Sequence, residues 1–155
     1  MEPKFEVSLK IRRPAAEVFE AVVRPEVLSS YFVKTASGPL AEGSSVMWSF
    51  AEAPQPFEVK VREVKPSERI VLQWPGGHSY ETTVEMVFTP LDDANTLVTV
   101  REGPWRDESG LQGPAGNAGG WMHMLCSLKA RLEYGINLRS VASVHVATSP
   151  HPPAG

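Results

Sequence analysis

A chain of 155 residues, 42% of them hydrophobic and 21% charged, has enough apolar side chains for one core and is short for two domains. Its net charge of -3 comes from 15 basic and 18 acidic residues that are spread along the sequence without runs. This excludes the clustered basic face that nucleic-acid binding requires, so we expect a single domain that binds neither DNA nor RNA.

Cysteine content and hydropathy predict the compartment. The single cysteine, Cys126, cannot form an internal disulfide, and no basic and apolar leader precedes the first strand-like segment at Phe5. No segment reaches the roughly 20 apolar residues of a membrane-spanning helix. We therefore expect a soluble, cytoplasmic protein without a membrane span.

The first predicted element is a strand, because apolar and polar residues alternate without a break over residues 5–12. A helix is expected next. Pro14 suits the first turn of a helix, apolar residues then recur at helical spacing, and Pro25 ends the pattern. Residues 26–32 predict a second short helix whose apolar side chains cover a core.

Residues 44–102 have the alternating pattern of a sheet, and short turn-like segments between the strands favour antiparallel neighbours. The predicted strands are Ser44–Phe50, Phe57–Lys65, Arg69–Trp74, Ser79–Pro90 and Ala94–Glu102. The side chains predicted to face inward are Val46, Trp48, Phe50, Phe57, Val59, Val61, Ile70, Leu72, Trp74, Tyr80, Thr82, Val84, Met86, Phe88, Val98 and Val100. We expect the opposite, charged face to contact water.

Glycine and proline recur over residues 103–120, which predicts a long flexible connection. A final amphipathic helix is expected to begin near Gly119 and Gly120. Its narrow apolar stripe consists of Trp121, Leu125, Leu128 and Leu132, flanked by Met124 and Ile136, with His123, Ser127, Ala130 and Glu133 outside it.

The predicted domain covers residues 1–136, and residues 137–155 form a C-terminal tail with one strand-like alternation over residues 142–148. Three interpretations of the tail stay open: an added edge strand, an arm that pairs with a second copy in a homodimer, or a disordered end.

Three separated segments carry a resemblance to a known family. They are Pro14–Phe32, which is similar to an opening helix pair, Pro66–Trp74, which is similar to a central turn and strand, and Gly120–Glu133, which is similar to a closing helix. Together the sequence resembles the Hsp90 ATPase activator homologue 1-like (AHSA1-like) family of the START/Bet v 1-like (SRPBCC) superfamily. The resemblance implies an α+β helix-grip fold, with an incurved antiparallel sheet around a long C-terminal helix and two short helices after the first strand.

The resemblance also implies an apolar cavity between the sheet and the last helix, which opens near residues 103–120. We expect this cavity to hold a small apolar or amphipathic ligand, because large amphipathic rings suit such a pocket. The expected lining residues are Trp48, Phe50, Trp74, Tyr80, Thr82, Met86, Glu102, Trp105, Trp121, Met124, Leu125 and Leu128. Two alternatives stay open: the aromatic rings simply fill the core, and Glu102 is solvated at the mouth instead of orienting a ligand.

Groups for catalysis or metal binding are few. The candidates are His78, His123, His145, His151 and Cys126, and no two of them have the spacing of a metal site. His123 is expected to be solvated or to face a partner, and Cys126 to be a structural or partly buried thiol. The glycines at 110, 113, 116, 119 and 120 match a phosphate-binding loop in composition only. We predict no catalytic residue, no metal and no cofactor.

The sequence therefore predicts a non-catalytic binding domain. Because the superfamily includes lipid carriers, hormone receptors, polyketide cyclases and chaperone partners, the fold alone does not decide the function. Two alternatives stay open. One is a co-regulator of an Hsp90-type chaperone or a stress-related interaction protein, and the other is a cyclase- or hydrolase-like enzyme that works in the cavity.

Overall fold

The computed structural model describes residues 4–53, 55–76, 80–106 and 113–139. Its strands are β1 (Phe5–Ile11), β2 (Thr35–Ala36), β3 (Ser45–Ser49), β4 (Phe57–Lys65), β5 (Arg69–Trp74), β6 (Thr82–Asp92) and β7 (Asn95–Gly103). Its helices are α1 (Ala15–Val23), α2 (Pro25–Leu28) and α3 (Pro114–Tyr134). The strand-like tail segment and the candidates His78, His145 and His151 lie outside the described residues.

The seven strands form one antiparallel sheet in the order β1-β7-β6-β5-β4-β3-β2. Strands that are neighbours in the chain from β2 to β7 pair with each other, and β1 pairs with β7. This sheet and the long C-terminal helix confirm the predicted fold class. The prediction lacks β2, because two residues are too few to show an alternation.

The inward face of the sheet is the predicted one. Every side chain predicted to face inward is buried except those of Phe50, Phe57, Trp74 and Tyr80, which are half-buried. Phe50 follows β3, Trp74 ends β5 and Tyr80 precedes β6. These three residues lie at the same end of the sheet as Phe57, the first residue of β4. The core is therefore closed at one end of the sheet and less completely covered at the other.

The outward face carries ion pairs that cross several strands. Arg69 joins Glu63 at 3.0 Å and Glu85 at 2.7 Å, and Arg101 joins Glu85 at 3.2 Å and Glu6 at 2.8 Å. These side chains are partly solvated, so each pair contributes about 0–1 kcal/mol to stability. The charged outer face agrees with the strand register predicted from the sequence.

The last helix begins earlier than its sequence predicts. α3 starts at Pro114, so residues 114–120 are helical and do not belong to a flexible connection. Proline fits the first helical position because its missing N–H would have no intrahelical partner there. Each interior glycine costs about 1 kcal/mol relative to alanine, and side-chain contacts to the sheet from Asn117 and Trp121 oppose that cost. Gly135, in the left-handed conformation with φ 69°, ends the helix.

α3 buries a wider face than the predicted stripe. Its buried residues are Trp121, Met124, Leu125, Ser127 and Leu128. The expectation that Ser127 lies outside the buried face is therefore wrong, while Leu132 is half-buried and Ile136 is exposed. Cys126 is exposed, not partly buried, because position 126 lies about 140° around the helix from Trp121.

Candidate functional site

A pocket of about 260 Å³ lies between the first half of α3 and the less covered end of the sheet. Its walls are the aromatic rings of Phe32, Phe50, Phe57, Trp74 and Trp121. Gly116, Asn117, Gly120 and His123 of α3 also line it, and so do Glu52, Ala53 and Arg139. The pocket thus has an apolar interior and a polar rim.

The aromatic walls form one connected set of rings. The ring centroid of Phe32 lies 5.2 Å from that of Phe50 and 5.6 Å from that of Trp121. Trp74 extends the set, with its centroid 5.5 Å from that of Trp121 and 6.2 Å from that of Phe57. Tilted and edge-to-face aromatic pairs contribute roughly 0.5–1.5 kcal/mol each beyond the area they bury. The rings therefore support one another without a ligand between them.

A buried carboxylate lies directly behind these walls. The side chain of Glu102 is 1% exposed, so the alternative in which it is solvated at the mouth is wrong. Its Oε1 accepts hydrogen bonds from Trp121 Nε1 at 2.9 Å and Asn117 Nδ2 at 3.1 Å. Its Oε2 accepts one from Trp74 Nε1 at 2.9 Å and a short one from the Thr82 hydroxyl. Such bonds are needed because burying a charged group without partners is costly.

The position of Glu102 follows from the register of β7. Inward-facing residues recur at every second position of the strand, so position 102 continues the face of Val98 and Val100. Thr82 lies opposite Trp74, and Glu102 lies opposite Val84. A glutamate that continues an apolar inward alternation is therefore a sequence signal for a buried polar group. We call Trp74, Thr82, Glu102, Asn117 and Trp121 the Glu102 cluster.

The turn after β5 covers the Glu102 cluster at close range. The Gly76 N–H donates to the Trp74 carbonyl oxygen at 2.8 Å, which folds the chain back over the cluster. A Cβ atom at Gly76 would lie 2.6 Å from Glu102 Oε2 and still closer to the Thr82 hydroxyl. Glycine is therefore required here by the close approach of the backbone to the cluster.

Replacing Gly76 by alanine is expected to lower the free energy of unfolding by at least about 1 kcal/mol, because the added methyl group displaces Thr82 or Glu102. Urea unfolding followed by circular dichroism measures the change. Gly38→Ala is the matched control, since a Cβ atom there meets nothing within 4 Å. Equal effects of the two substitutions would contradict the close approach at Gly76.

Arg139 lies across the rim of the pocket. Its Nη2 is 2.6 Å and 2.5 Å from the two carboxylate oxygens of Glu52, and its Nη1 is 3.2 Å from His123 Nδ1. The Arg139 side chain is 14% exposed, so water screens this ion pair only in part. His123 is half-buried beside the pocket, which differs from the solvated or partner-facing position expected for it. The rim therefore presents both donors and acceptors to the pocket.

The structure separates the predicted lining residues into three groups. The first group belongs to the pocket: Phe50, Trp74 and Trp121 line it, and Thr82 and Glu102 lie behind its walls. The second group, which is buried in the core, is Trp48, Met86, Met124, Leu125 and Leu128.

Tyr80 and Trp105 form the third group, which lies away from the pocket. The Tyr80 hydroxyl accepts a hydrogen bond from the Arg106 N–H at 2.9 Å, and the Arg106 guanidinium lies 5.0 Å from the centre of the Tyr80 ring. Trp105 is buried and stacks on Phe5 with a centroid distance of 6.3 Å. Both residues therefore contact side chains near the start of β1 and the end of β7 instead of lining the pocket.

Several pocket residues are absent from the sequence prediction. They are Phe32, Glu52, Ala53, Phe57, Gly116, Asn117, Gly120, His123 and Arg139. Phe57 belongs to the predicted inward face of β4, so the sequence pattern could have identified it as a pocket residue. Asn117 lies on α3 only because the helix starts earlier than predicted, and the sequence pattern did not indicate this. Glu52 and Arg139 are brought together from positions 87 residues apart, and no local pattern contains that information.

Two further properties of the described residues bear on function. Within residues 4–53, 55–76, 80–106 and 113–139, no group of three His, Cys, Asp or Glu side chains is arranged to hold a metal ion. Among the helices of the same residues, none combines the length and the hydropathy that crossing a membrane requires.

Solved structures share this fold. A protein from Staphylococcus saprophyticus superposes with a TM-score of 0.76 at 23% identity, over 88% of this chain and 96% of that chain. The Aha1 dimer from Colwellia psychrerythraea superposes with a TM-score of 0.75 at 19% identity, over 86% and 98%. DynU16, a protein in the dynemicin biosynthetic locus, superposes with a TM-score of 0.76 at 26% identity, over 87% of this chain but 49% of its own.

The sequence comparison agrees with the fold. No curated protein matches the sequence significantly. The family described as "Activator of Hsp90 ATPase homolog 1-like protein" matches residues 12–133, which begin directly after β1 and include every element from α1 to β7 and all of α3 except its last residue. The chain therefore belongs to the Activator of Hsp90 ATPase homolog 1-like (AHSA1) family, and its fold is the helix-grip fold of the START/Bet v 1-like superfamily.

Proposed function

We propose that this domain binds a small, flat amphipathic molecule in the aromatic pocket beside α3 and does not catalyse a reaction on it. The observation that carries the proposal is the connected aromatic wall, in which Trp74 and Trp121 are both hydrogen-bonded to the buried Glu102. Pre-formed apolar walls bind a ligand without the cost of ordering the site at the moment of binding.

The size of the pocket limits the ligand. Its volume of about 260 Å³ is slightly below the roughly 300–1,000 Å³ of pockets that enclose drug-sized molecules. Because aromatic side chains form most of the walls, a compact aromatic ring system suits the pocket better than a long acyl chain. The deeper residues Trp48, Met86 and Leu125 then support the walls instead of contacting the ligand.

The rim supports an amphipathic ligand over a purely apolar one. Arg139, Glu52 and His123 place charged and polar groups at one end of the pocket. A ligand with one polar substituent satisfies these groups while its apolar body lies against Trp74 and Trp121. DynU16, at 26% identity, is a protein in a biosynthetic locus, which is consistent with a small-molecule ligand for this fold.

Replacing Phe57 by alanine is expected to raise the dissociation constant of a neutral naphthalene probe, N-phenyl-1-naphthylamine, at least about tenfold. Burying a phenyl ring contributes roughly 1.5–3 kcal/mol, and 1.4 kcal/mol corresponds to a factor of ten. Titration of the probe's fluorescence emission measures the constant. Phe5→Ala is the matched control, because Phe5 is also a half-buried phenylalanine on a strand but stacks on Trp105 away from the pocket.

The same titration tests the location of the site. Equal weakening by Phe57→Ala and Phe5→Ala, or no weakening by either, would place the probe elsewhere and contradict the proposal.

Native mass spectrometry of the gently purified protein complements the titration. A reproducible small adduct identifies a ligand class, and its loss in the Phe57 variant assigns that ligand to the pocket.

A second candidate is a surface-mediated role as a co-regulator of an Hsp90-type chaperone or as a stress-related interaction protein. Family membership favours it, and so does the exposure of three large apolar side chains at and just after the end of α3, those of Tyr134, Ile136 and Leu138. A homodimer through the same end of the chain is compatible with this role, and the Colwellia psychrerythraea structure is of a dimer. Both roles suit a cytoplasmic protein. Retention of the chain on an immobilised Hsp90-type chaperone, lost on replacing Ile136 by aspartate, distinguishes this candidate from pocket binding.

A cyclase- or hydrolase-like activity has less support. The two carboxylates nearest the pocket are those of Glu52 and Glu102, and both are already engaged. Glu52 pairs with Arg139, and Glu102 accepts hydrogen bonds from four side chains. Neither group is arranged as a general base toward the interior of the pocket.

A further inference from the structure

We propose that Glu102 is a positioning residue that fixes the two tryptophan walls of the pocket and thereby sets its affinity for a ligand. Glu102 itself does not touch the ligand. The effect on affinity rests on the function proposed above, whereas the effect on the two indole rings does not.

The Glu102 cluster joins the ends of three strands to α3. Trp74 is the last residue of β5, Thr82 is the first residue of β6, and Glu102 is near the end of β7. Asn117 and Trp121 lie one turn apart on α3. One carboxylate therefore connects the sheet to the first half of the helix, and the pocket lies along this junction.

The hydrogen bonds fix the orientation of the rings, not only their location. Each indole has a single N–H on one edge of a rigid plane. The Nε1 atoms of Trp74 and Trp121 are each 2.9 Å from a different oxygen of the same carboxylate. Since a carboxylate is planar, its two oxygens hold the two indoles in a defined mutual orientation, with ring centroids 5.5 Å apart.

The acceptor capacity of Glu102 is used within the cluster. Oε1 accepts from Asn117 and Trp121, and Oε2 accepts from Trp74 and Thr82. The side chain is 1% exposed, and Gly76 covers it from the other direction. Trp74 and Trp121 line the pocket and Glu102 does not, so a ligand in it contacts the two tryptophans and does not reach the carboxylate that holds them.

The substitution Glu102→Gln tests this role with minimal change of shape. A glutamine amide has one oxygen acceptor and one NH₂ donor in place of two acceptors. Thr82 and Asn117 have both donors and acceptors and adapt to either orientation of the amide, but an indole N–H does not. Whichever way the amide turns, one of the two tryptophans faces a donor and loses its acceptor.

Two readouts are expected to change together in Glu102→Gln. The indole N–H resonances of Trp74 and Trp121 in a ¹⁵N-labelled protein shift, while that of Trp105, which lies outside the cluster, stays in place. The dissociation constant of N-phenyl-1-naphthylamine rises about tenfold, because the tryptophan that loses its acceptor no longer holds one orientation and has to be ordered when the probe binds. A melting temperature measured in parallel shows that the variant is folded.

A second substitution is expected to restore part of the probe binding that Glu102→Gln loses. Trp121→Phe and Trp74→Phe each keep an aromatic wall and remove the N–H that the glutamine leaves unmatched. Combined with Glu102→Gln, one of the two is expected to bind the probe more tightly than Glu102→Gln alone. Recovery in neither double variant overturns the proposal.

A purely structural role for Glu102 gives a different pattern. In that case Glu102→Gln lowers the melting temperature but leaves the probe constant unchanged, which overturns the proposal. Failure of the wild-type protein to bind the probe overturns the proposed function alone, because the resonance shifts still test the positioning of the rings.

A milder variant covers the case in which Glu102→Gln does not fold. Thr82→Val keeps the side-chain shape and removes the hydroxyl donor to Oε2, and Thr82 does not line the pocket. A shift of the Trp74 indole resonance with weaker probe binding supports the proposal. Unchanged resonance and affinity overturn it.

Discussion

Replacing Leu125 by alanine is expected to lower the free energy of unfolding by about 2–5 kcal/mol. Leu125 is 0% exposed on the inner face of α3, one turn after Trp121, where the helix packs against the sheet. Truncation removes three carbon atoms from a closely packed region and leaves a cavity that the surrounding strands do not fill. Urea unfolding followed by circular dichroism measures the change, with an unaltered slope showing that the surface exposed on unfolding is the same.

Leu91→Ala is the matched control for this substitution. Leu91 is 51% exposed near the end of β6, so its loss is expected to change the free energy of unfolding by less than about 0.5 kcal/mol. A cost at Leu125 no larger than that at Leu91 would mean that α3 is not enclosed by the sheet in solution. The helix-grip arrangement, on which the pocket depends, would then be contradicted.

Most of the sheet was predictable because its faces differ so clearly. Alternation over β4 to β7 is long enough to fix which residues face inward, and the ladder of Arg69, Glu85 and Arg101 marks the outer face. The start of α3 was not predictable in this way. Glycine lowers helix propensity, and the contacts of Asn117 and Trp121 with Glu102 that oppose this effect come from a distant part of the chain.

The pocket was predictable only in part, for the same reason. Periodicity identified Phe50, Trp74 and Trp121 as inward-facing residues, and all three line it. Periodicity does not show which end of the sheet is left uncovered, so core residues such as Met86 were expected in the lining as well. The rim pair of Arg139 and Glu52 depends on tertiary structure alone.

The C-terminal end of α3 is also bound to the sheet, through hydrogen bonds between Glu133 and Arg12, the residue that follows β1. The Glu133 side chain is 1% exposed, although the sequence places it outside the apolar stripe. Its Oε2 accepts hydrogen bonds from Lys129 Nζ at 2.7 Å and the Arg12 backbone N–H at 2.7 Å, and its Oε1 accepts one from Arg12 Nε at 2.9 Å. Lys129 also donates to the Lys10 carbonyl oxygen at 2.8 Å. These bonds fasten the last turns of the helix to the end of the first strand.

Replacing Glu133 by glutamine is expected to lower the free energy of unfolding at pH 7 by about 2–3 kcal/mol, because hydrogen bonds from charged groups to a carboxylate are lost. Burial alone would raise the pKa of Glu133, but the hydrogen bonds from Lys129 and Arg12 outweigh it and lower the pKa to about 2. Since this folded-state pKa is below the unfolded value of 4.5, the carboxylate stabilises the protein above pH 4.5. That stabilisation is lost as the pH falls from 4.5 toward about 2.

The difference in unfolding free energy between the wild-type protein and Glu133→Gln is therefore expected to be largest at pH 5 and above and to shrink steadily toward pH 3. Urea unfolding at pH 7, 5, 4 and 3 measures it. Glu17→Gln is the control, because Glu17 pairs with Arg13 at 3.5 Å on the surface, where such a pair contributes less than about 1 kcal/mol. A wild-type advantage over Glu133→Gln that stays constant from pH 5 to pH 3 would contradict the lowered pKa. The contacts of Glu133 with Lys129 and Arg12 would then stabilise the end of α3 by packing and not through the charge of the carboxylate.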